Sequence, residues 1–168
     1  MKIALLTDLH ANREAVEAVL ARAQALQPDR YAILGDLVGY GADPGWVVDQ
    51  VQAMRAQGAW VVLGNHDAAV VEGPSPAMRL DVREAIAWTR DRLAVEQRTF
   101  LSSLPLTQEE GDVLFVHANA FAPGLWAYLE GRMEAQRSLM ATPHGITVCG
   151  HVHEPRLYHL APTGKVGD

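Results

Sequence analysis

Short apolar runs alternate with longer helical patterns along most of this chain. The runs have four or five residues each, and they occupy positions 2–6, 31–34, 60–63, 113–116 and 146–149. A short apolar run bounded by helical segments is typical of a buried strand in a sheet that is largely parallel. The alternation therefore predicts an α/β protein in which helices connect the strands.

Between the runs, apolar side chains recur at the three- and four-residue spacing of helices. The first helix is predicted over residues 13–26, with Asn12 as its N-cap. The other predicted elements are a helix that opens at Asp43 and Pro44 and ends near Gly58, a longer helical region at 77–93 with a short turn at 99–104, a weak helix at 133–140, and a last extended piece at 156–160. No linker or repeat interrupts this series, which predicts a single domain over residues 1–168.

Composition excludes several classes of protein. The 168 residues are 49% hydrophobic and 20% charged, which suits a compact globular domain. The net charge is −6 and the basic residues are scattered, so nucleic-acid binding is not expected. The single cysteine, Cys149, has no partner for a disulfide, and no segment has the length of a membrane span or a signal peptide. We therefore expect a cytoplasmic protein that does not bind membranes.

Residues whose side chains can bind metal ions, namely Asp, Asn and His, follow every apolar run. The segments are 8-DLH-10, 35-GD-36, 64-GNHD-67, His117 and the pair His151 and His153, which together hold five of the seven histidines. Any one of them is compatible with a helix cap, a turn or an ordinary polar contact. Ligands of open α/β sheets, however, bind beyond the carboxyl ends of the strands. Five such coincidences predict one shared site.

The residue types in these segments suit divalent metals. Mixed Asp, Asn and His ligation favours borderline first-row cations, with manganese first and iron, zinc, nickel or cobalt as alternatives, over calcium or magnesium. A carboxylate can bridge two cations about 3.5–4 Å apart, and water between them is acidified, so that hydroxide can attack phosphorus. On extended backbone, His151 and His153 would point to the same side and aim at one place.

The ordered motifs D-x-H, G-D, G-N-H, H and G-H-x-H resemble the calcineurin-like metallophosphoesterase superfamily, and the surrounding sequence is most similar to its small stand-alone bacterial and archaeal phosphoesterases. The resemblance implies a four-layer αββα sandwich. Relatives continue beyond G-H-x-H with strands that complete a second sheet, whereas fifteen residues follow His153 here. We therefore expect an incomplete second sheet in which the strand at 156–160 lacks a hairpin partner. Either the chain is truncated or a neighbouring subunit of a homo-oligomer covers the edge.

The resemblance also implies a role for each motif residue. The implied metal ligands form two sets that share one carboxylate: Asp8, His10 and His153 for one metal, Asn65, His117 and His151 for the other, and Asp36 for both. His66 is implied to face the substrate, where it stabilises developing charge or protonates the leaving oxygen. Asp67 is expected to orient that imidazole or raise its pKa. Ala11 departs from the family pattern, which often has glycine there.

The function implied is hydrolysis of phosphomonoesters or phosphodiesters by a dinuclear metal enzyme, with a small phosphorylated molecule such as a nucleotide as substrate and metal-activated hydroxide as nucleophile. An alternative is a catalytically silent scaffold of the same fold that binds a protein partner. Scaffold relatives lose the histidine at position 66 or drop ligands, and this chain retains them. A dinuclear hydrolase for non-phosphate substrates is a third reading, but the H-x-H-x-D-H pattern is absent.

Four aromatic residues lie on loops that follow the ligand-bearing runs: Tyr40, Phe121, Trp126 and Tyr128. Two interpretations stay open for them. They can stack a nucleobase or an aromatic leaving group, or they can simply pack beneath the loops.

Overall fold

A parallel three-stranded sheet forms one half of the protein. The computed structural model describes residues 1–76 and 78–167. The sheet contains β1 (Ile3–Leu6), β2 (Arg30–Ile33) and β3 (Trp60–Val61) in the order β1-β2-β3, and Ile3 pairs with Arg30 and Ala32 with Trp60. The helices of the described residues are α1 (Arg13–Ala25), α2 (Pro44–Ala56), α3 (Asn65–Glu72), α4 (Leu80–Arg92), α5 (Val95–Ser102) and α6 (Arg132–Met140). The predicted α/β class is confirmed.

A second sheet packs against the first. It contains β4 (Thr107–Glu110), β5 (Val113–Val116) and β6 (Ile146–Val148), with β4 antiparallel and β6 parallel to the central strand β5. Two further short strands, β7 (His159–Leu160) and β8 (Val166–Gly167), form an antiparallel pair of their own. The described strands thus form three sheets and not the one largely parallel sheet that was predicted. In addition, β4 and the pair of β7 and β8 are antiparallel.

Two apolar cores separate the layers. Between the sheets, Ala32, Leu34 and Val62 pack with Phe115, and the rings of Trp60 and Phe115 lie with centroids 5.3 Å apart. The larger core lies between the first sheet and the helices on its other face, and it includes Val16, Ile33, Val48, Ile86 and Leu101. Helix α6 faces the second sheet across a cavity of about 260 Å³ that is lined by Ala135, Ile146 and Val148. These layers form the αββα sandwich that the motifs imply.

The first two helices begin where the sequence predicts. The Asn12 side chain accepts a hydrogen bond from the backbone N of Ala15 at 3.0 Å, and α1 follows directly. Pro44 opens α2, where its fixed φ suits the first turn. Just past the end of α2, Gly58 has a φ of +99°, a conformation that favours glycine.

Several elements differ from the sequence prediction. Helix α5 forms where a short turn was predicted at 99–104, and α4 begins at Leu80, whereas its predicted start at residue 77 lies outside the described residues. Residues 64–72, expected to be a loop, contain α3, which begins inside the G-N-H-D motif, where polar residues conceal the helical spacing. Strand β4 is TQEE, too polar to be recognised as a strand. In the last extended piece only His159 and Leu160 are strand, and they have a hairpin partner after all, because His159 pairs with Gly167. Two-residue strands carry too little pattern to be predicted.

Candidate metal centre

The carboxyl ends of β1, β2, β5 and β6 and the amino end of α3 bring the predicted ligands to one place. Within the described residues, side chains that could hold a metal form three overlapping groups, in each of which the ligand atoms lie within 4.8 Å of one another. These groups are Asp8, His10 and His153; His10, Asp36 and His66; and Asp36, His117 and His151. Asp36 therefore belongs to the second and third groups, and His10 belongs to the first and second.

The two oxygens of Asp36 have different surroundings. Oδ1 accepts a hydrogen bond from the backbone N of His66 at 2.8 Å, at the start of α3. Oδ2 lies 3.8 Å from Nε2 of His10 and 3.4 Å from Nε2 of His117. Burial raises the pKa of this carboxyl, but the hydrogen bond and charge of His117, together with the charges of His66 and His10, outweigh burial and lower it. An ionised carboxylate is thus fixed by one oxygen, and its other oxygen faces both histidines.

The rings of His117 and His151 are each oriented by a backbone carbonyl. Nδ1 of His117 lies 2.7 Å from the carbonyl oxygen of Leu34, and Nε2 of His151 lies 2.9 Å from that of Trp126. A carbonyl oxygen only accepts hydrogen bonds, so each of these nitrogens carries a proton. The remaining nitrogens, Nε2 of His117 and Nδ1 of His151, face each other at 3.2 Å, and both present lone pairs when the rings are neutral, as they are in metal ligands.

Further acceptor atoms meet these two lone pairs. Oδ1 of Asn65 lies 2.9 Å from Nε2 of His117, and Oδ2 of Asp36 faces the same nitrogen. With neutral rings and this amide orientation, none of the four atoms donates a hydrogen bond to another. Converging lone pairs repel unless a proton or a metal cation lies between them. Burial opposes protonation of His117, but its hydrogen bonds and the nearby carboxylates outweigh burial and raise its pKa. Two imidazoles, an amide oxygen and a carboxylate suit a divalent first-row metal, and the carbonyls behind the rings are the outer contacts that such ligands usually make.

The group around Asp8 is more open. Nδ1 of His10 lies 3.1 Å from the carbonyl oxygen of Val38, which leaves its Nε2 facing Nε2 of His153 at 3.3 Å. Nε2 of His153 also lies 3.1 Å from Oδ1 of Asp8. The Thr7 hydroxyl donates to Oδ2 of Asp8 at 2.6 Å and holds that carboxylate. The His153 side chain is 53% exposed, so this group forms the solvent side of the centre.

His66 completes the group of His10 and Asp36, although it is not one of the ligands that the motifs imply. Its ring centroid is 5.0 Å from that of His10, and burial lowers its pKa. Its Nδ1 is buried with no hydrogen-bond partner. That nitrogen lies against Gly39, where an added Cβ would be 2.5 Å away. Nε2 is therefore the nitrogen left to meet a ligand.

An open cleft of about 220 Å³ gives access to these groups. Its walls include Asn65, His66, Val152 and two exposed aromatic rings, Tyr40 and Tyr128. The cleft is thus large enough for a phosphoryl group, while the rest of a substrate would extend past the tyrosines.

Comparison with known proteins agrees with this geometry. Residues 1–163 match the family described as the calcineurin-like phosphoesterase superfamily domain. The chain belongs to this superfamily. Its members are phosphoester hydrolases, and the resemblance seen in the sequence motifs is confirmed.

Individual relatives support the same assignment. An uncharacterized protein of Methanocaldococcus jannaschii is 38% identical over 136 residues, which are 76% of this chain and 53% of that protein. The crystal structure of a metallophosphoesterase from Sphaerobacter thermophilus has a TM-score of 0.83 and 32% identity, and the match covers 99% of this chain and 68% of that one. A hypothetical protein from Pyrococcus horikoshii OT3 shares the fold, with a TM-score of 0.82 at 16% identity and coverage of 98% and 74%. The chain thus spans about half the length of the curated relative it matches.

The backbone at this calcineurin-like centre is not extended, contrary to the sequence expectation for His151 and His153. Strand β6 ends at Val148, and both histidines have left-handed φ angles, 70° and 59°. Their side chains consequently enter different groups, as the family motifs imply, although extended backbone would have aimed both at one place. The same conformation occurs at three more candidate ligands, namely Asp8, His10 and Asp36. Strained backbone of this kind clusters at functional sites, where surrounding contacts hold it in place.

The described hydrogen bonds of Asp67 go to backbone amides and do not include the His66 imidazole, and the expectation that Asp67 orients that ring stays a prediction. Its Oδ1 accepts from the backbone N of Leu37 at 2.9 Å and of Val38 at 3.2 Å, and its Oδ2 accepts from the backbone N of Gly64 at 3.0 Å. Burial raises the pKa of this carboxyl to about 7, although these amides favour its charged form. Asp67 therefore ties the loop after β2 to the start of α3.

Sequence reasoning missed the groups that orient the ligands. The carbonyls of Leu34, Val38 and Trp126 fix the rings of His117, His10 and His151, and backbone atoms leave no trace in residue identity. Thr7 was available as a signal, since a hydroxyl beside a candidate ligand can hold it.

In the part of the chain that the structure describes, no helix is long and apolar enough to cross a membrane.

Proposed function

We propose that this chain is a metal-dependent phosphoesterase that binds two divalent transition-metal ions, manganese first, with iron, zinc, nickel or cobalt as alternatives. The proposed ligands are Asp8, His10 and His153 for one ion, Asn65, His117 and His151 for the other, and Asp36 for both. The observation that carries the proposal is the convergence of four possible ligands, in which Nε2 of His117 and Nδ1 of His151 face each other at 3.2 Å beside Asp36 and Asn65.

Charge explains why such a centre suits a phosphate ester. Asp8 and Asp36 contribute two negative charges, and the histidines are neutral when they act as ligands. Two divalent cations would bring four positive charges, which leaves the loaded centre positive toward an anionic substrate. When bound, such cations stabilise the phosphoryl oxygens as Lewis acids and acidify the attacking water.

The chain's own residues supply the remaining steps. Asn65 and His66 begin α3, so this helix end places an amide and an imidazole on one wall of the cleft. With Nδ1 against Gly39, Nε2 of His66 is positioned to donate a hydrogen bond to a phosphoryl oxygen or to protonate the leaving oxygen. Asp67 is proposed to position His66 indirectly, because its carboxylate holds the loop that carries Gly39, and Gly39 lies against the His66 ring.

The substrate class is a small phosphorylated molecule, either a monoester or a diester. The chain covers 53% of its curated relative from Methanocaldococcus jannaschii, so both the activity and the substrate class are part of the proposal. The centre itself lies within the residues that match the superfamily.

The deciding experiment measures whether chelator-stripped protein hydrolyses p-nitrophenyl phosphate and bis-p-nitrophenyl phosphate. Manganese, nickel, zinc, cobalt or magnesium is added back singly. We expect a transition metal to restore turnover, and the ratio of the two rates identifies the preferred ester. Two metal ions bound per chain without turnover on any ester would instead favour a silent scaffold.

A further inference from the structure

The four aromatic residues that follow the ligand-bearing strands separate into two pairs in the structure. The guanidinium of Arg137 lies 4.0 Å from the ring centroid of Phe121, and Trp126 packs edge-on to His117 at 5.9 Å. These two rings are half-buried and support the loop. Tyr40 and Tyr128 differ, because both line the cleft and are 59% and 52% exposed.

Each of the two tyrosines packs against histidines of a different group. Tyr40 lies 4.9 Å from the ring of His10 and 4.6 Å from that of His66, tilted to both. Tyr128 is stacked on His151, with centroids 4.2 Å apart and planes 12° from parallel. The histidines cover one side of each tyrosine, and the greater part of its surface is exposed at the mouth of the cleft.

Each tyrosine also lines a second groove. Tyr40 lines a groove of about 700 Å³ whose walls include Leu5, Asn12 and Val19. Tyr128 lines a groove of about 390 Å³ beside Glu130 and Arg156. Each ring therefore lies where the cleft adjoins a groove that could hold the rest of a substrate.

We propose that Tyr40 and Tyr128 form a stacking surface for a planar aromatic group attached to the scissile phosphate, so that the substrates are nucleotide-type phosphoesters. The inference rests on the proposed function for the position of the phosphate. A base that stacks on an exposed ring removes apolar surface of both partners from water, and stacking tolerates any base because each has a π face.

Conformation supports this role for Tyr40. Its φ is +63°, an unusual value for a bulky residue, and it lies between Gly39, which contacts His66, and Gly41, whose added Cβ would be 2.3 Å from the carbonyl oxygen of His10. The loop that packs closely against the candidate centre thus also fixes the position of the Tyr40 ring. A ring supported by two histidines is preorganised for binding.

The test compares two ligands that share a phosphate and a ribose and differ in the base, AMP and ribose 5-phosphate. Equilibrium binding of each is measured on manganese-loaded protein. Variants are Tyr40→Leu, Tyr128→Leu, the double variant, and the Phe substitutions that retain the rings. The control is Trp88→Leu, which removes a ring 40% exposed on α4, outside the cleft.

We expect the Kd of AMP to lie about tenfold below that of ribose 5-phosphate. The Phe variants and Trp88→Leu should keep this ratio, each Leu variant should lower it, and the double Leu variant should bring it close to one. Equal binding of the two ligands by the unaltered chain, no binding of either, or an unchanged ratio in the double variant would overturn the inference.

Turnover on p-nitrophenyl phosphate is measured in parallel and separates the two proposals. Turnover without a preference for AMP rejects the stacking surface and retains the phosphoesterase. A preference for AMP without turnover on any ester supports the stacking surface and rejects the phosphoesterase.

Discussion

The backbone N of His66 donates a hydrogen bond to Oδ1 of Asp36 at 2.8 Å, so the start of α3 fixes the carboxylate that faces both histidine groups. One peptide group thereby couples the proposed bridging ligand to the residue proposed to act on the substrate. The sheet carries Asp36 and the helix carries His66, and neither element alone would place the two together.

Asp36→Asn should remove metal binding and leave the fold intact. The amide oxygen of Asn can still accept from the backbone N of His66, but the negative charge shared by the two groups is lost. We expect both metal ions to be lost, together with activity, as measured by elemental analysis of dialysed protein. The exposed Asp91→Asn serves as a charge-matched control. Two ions retained by Asp36→Asn would contradict the bridging role.

His66→Ala should lower turnover by about a hundredfold or more while metal content stays at the level of the unaltered chain. The reason is that the imidazole lies beside the ligands and is not one of the proposed set. The measurements are kcat with the best metal and elemental analysis. His144→Ala is the matched control, since that histidine is largely buried outside the cleft. An unchanged kcat would reject the assigned role, and loss of metal would make His66 a ligand.

Manganese should raise the thermal stability of the stripped protein. Nε2 of His117 and Nδ1 of His151 face each other at 3.2 Å in the folded state, so a cation that binds between them stabilises that state. At a free concentration one hundred times Kd, one bound ion adds about 2.7 kcal/mol to the free energy of unfolding, which corresponds to about 5–10 °C in Tm. Thermal unfolding with and without manganese measures the shift. Calcium should give a smaller one, since it prefers all-oxygen sites; an equal shift with calcium would contradict the ligand set.

Gly39→Ala should disturb His66 specifically. The new methyl group would lie 2.5 Å from Nδ1 of His66, on a residue with a φ of +90°. Gly111→Ala is the control, because Gly111 also has a positive φ but nothing lies within 4 Å of an added Cβ. Both variants should lose about 1–2 kcal/mol of stability from the backbone conformation. Only Gly39→Ala should also lose turnover with metal retained; equal kcat in the two variants would show that the contact has no effect on catalysis.

Asp67→Ala should act mainly on stability. The substitution leaves the buried amides of Leu37, Val38 and Gly64 without their acceptor, which costs about 2–4 kcal/mol in the free energy of unfolding. Denaturant unfolding measures the loss, and the exposed Asp91→Ala should fall within about 0.5 kcal/mol of the unaltered chain. A fully stable Asp67→Ala protein without turnover would restore the catalytic role expected from the sequence.

The location of the centre could be predicted from the sequence because it follows from strand direction. Runs such as 2–6 and 31–34 are recognisable as strands, and parallel strands present their carboxyl ends at one edge of a sheet. Asp8 and Asp36 therefore had to lie near each other. The ordered motifs likewise sufficed for the family, which residues 1–163 match.

Only the tertiary structure decided how the side chains are used. The family motifs imply that His151 and His153 serve different metals, but the left-handed conformations that bring them into different groups depend on contacts across the fold, which local pattern does not encode. The carbonyls of Leu34 and Trp126 orient the facing rings, and any residue type could supply them. The carboxylate of Asp67 accepts hydrogen bonds from the backbone amides of Leu37, Val38 and Gly64. The first two amides are about thirty residues away in sequence and meet Asp67 only in the folded protein. Strand order and motif chemistry are local properties of the chain, whereas backbone torsion and hydrogen-bond partners depend on segments that meet only after folding.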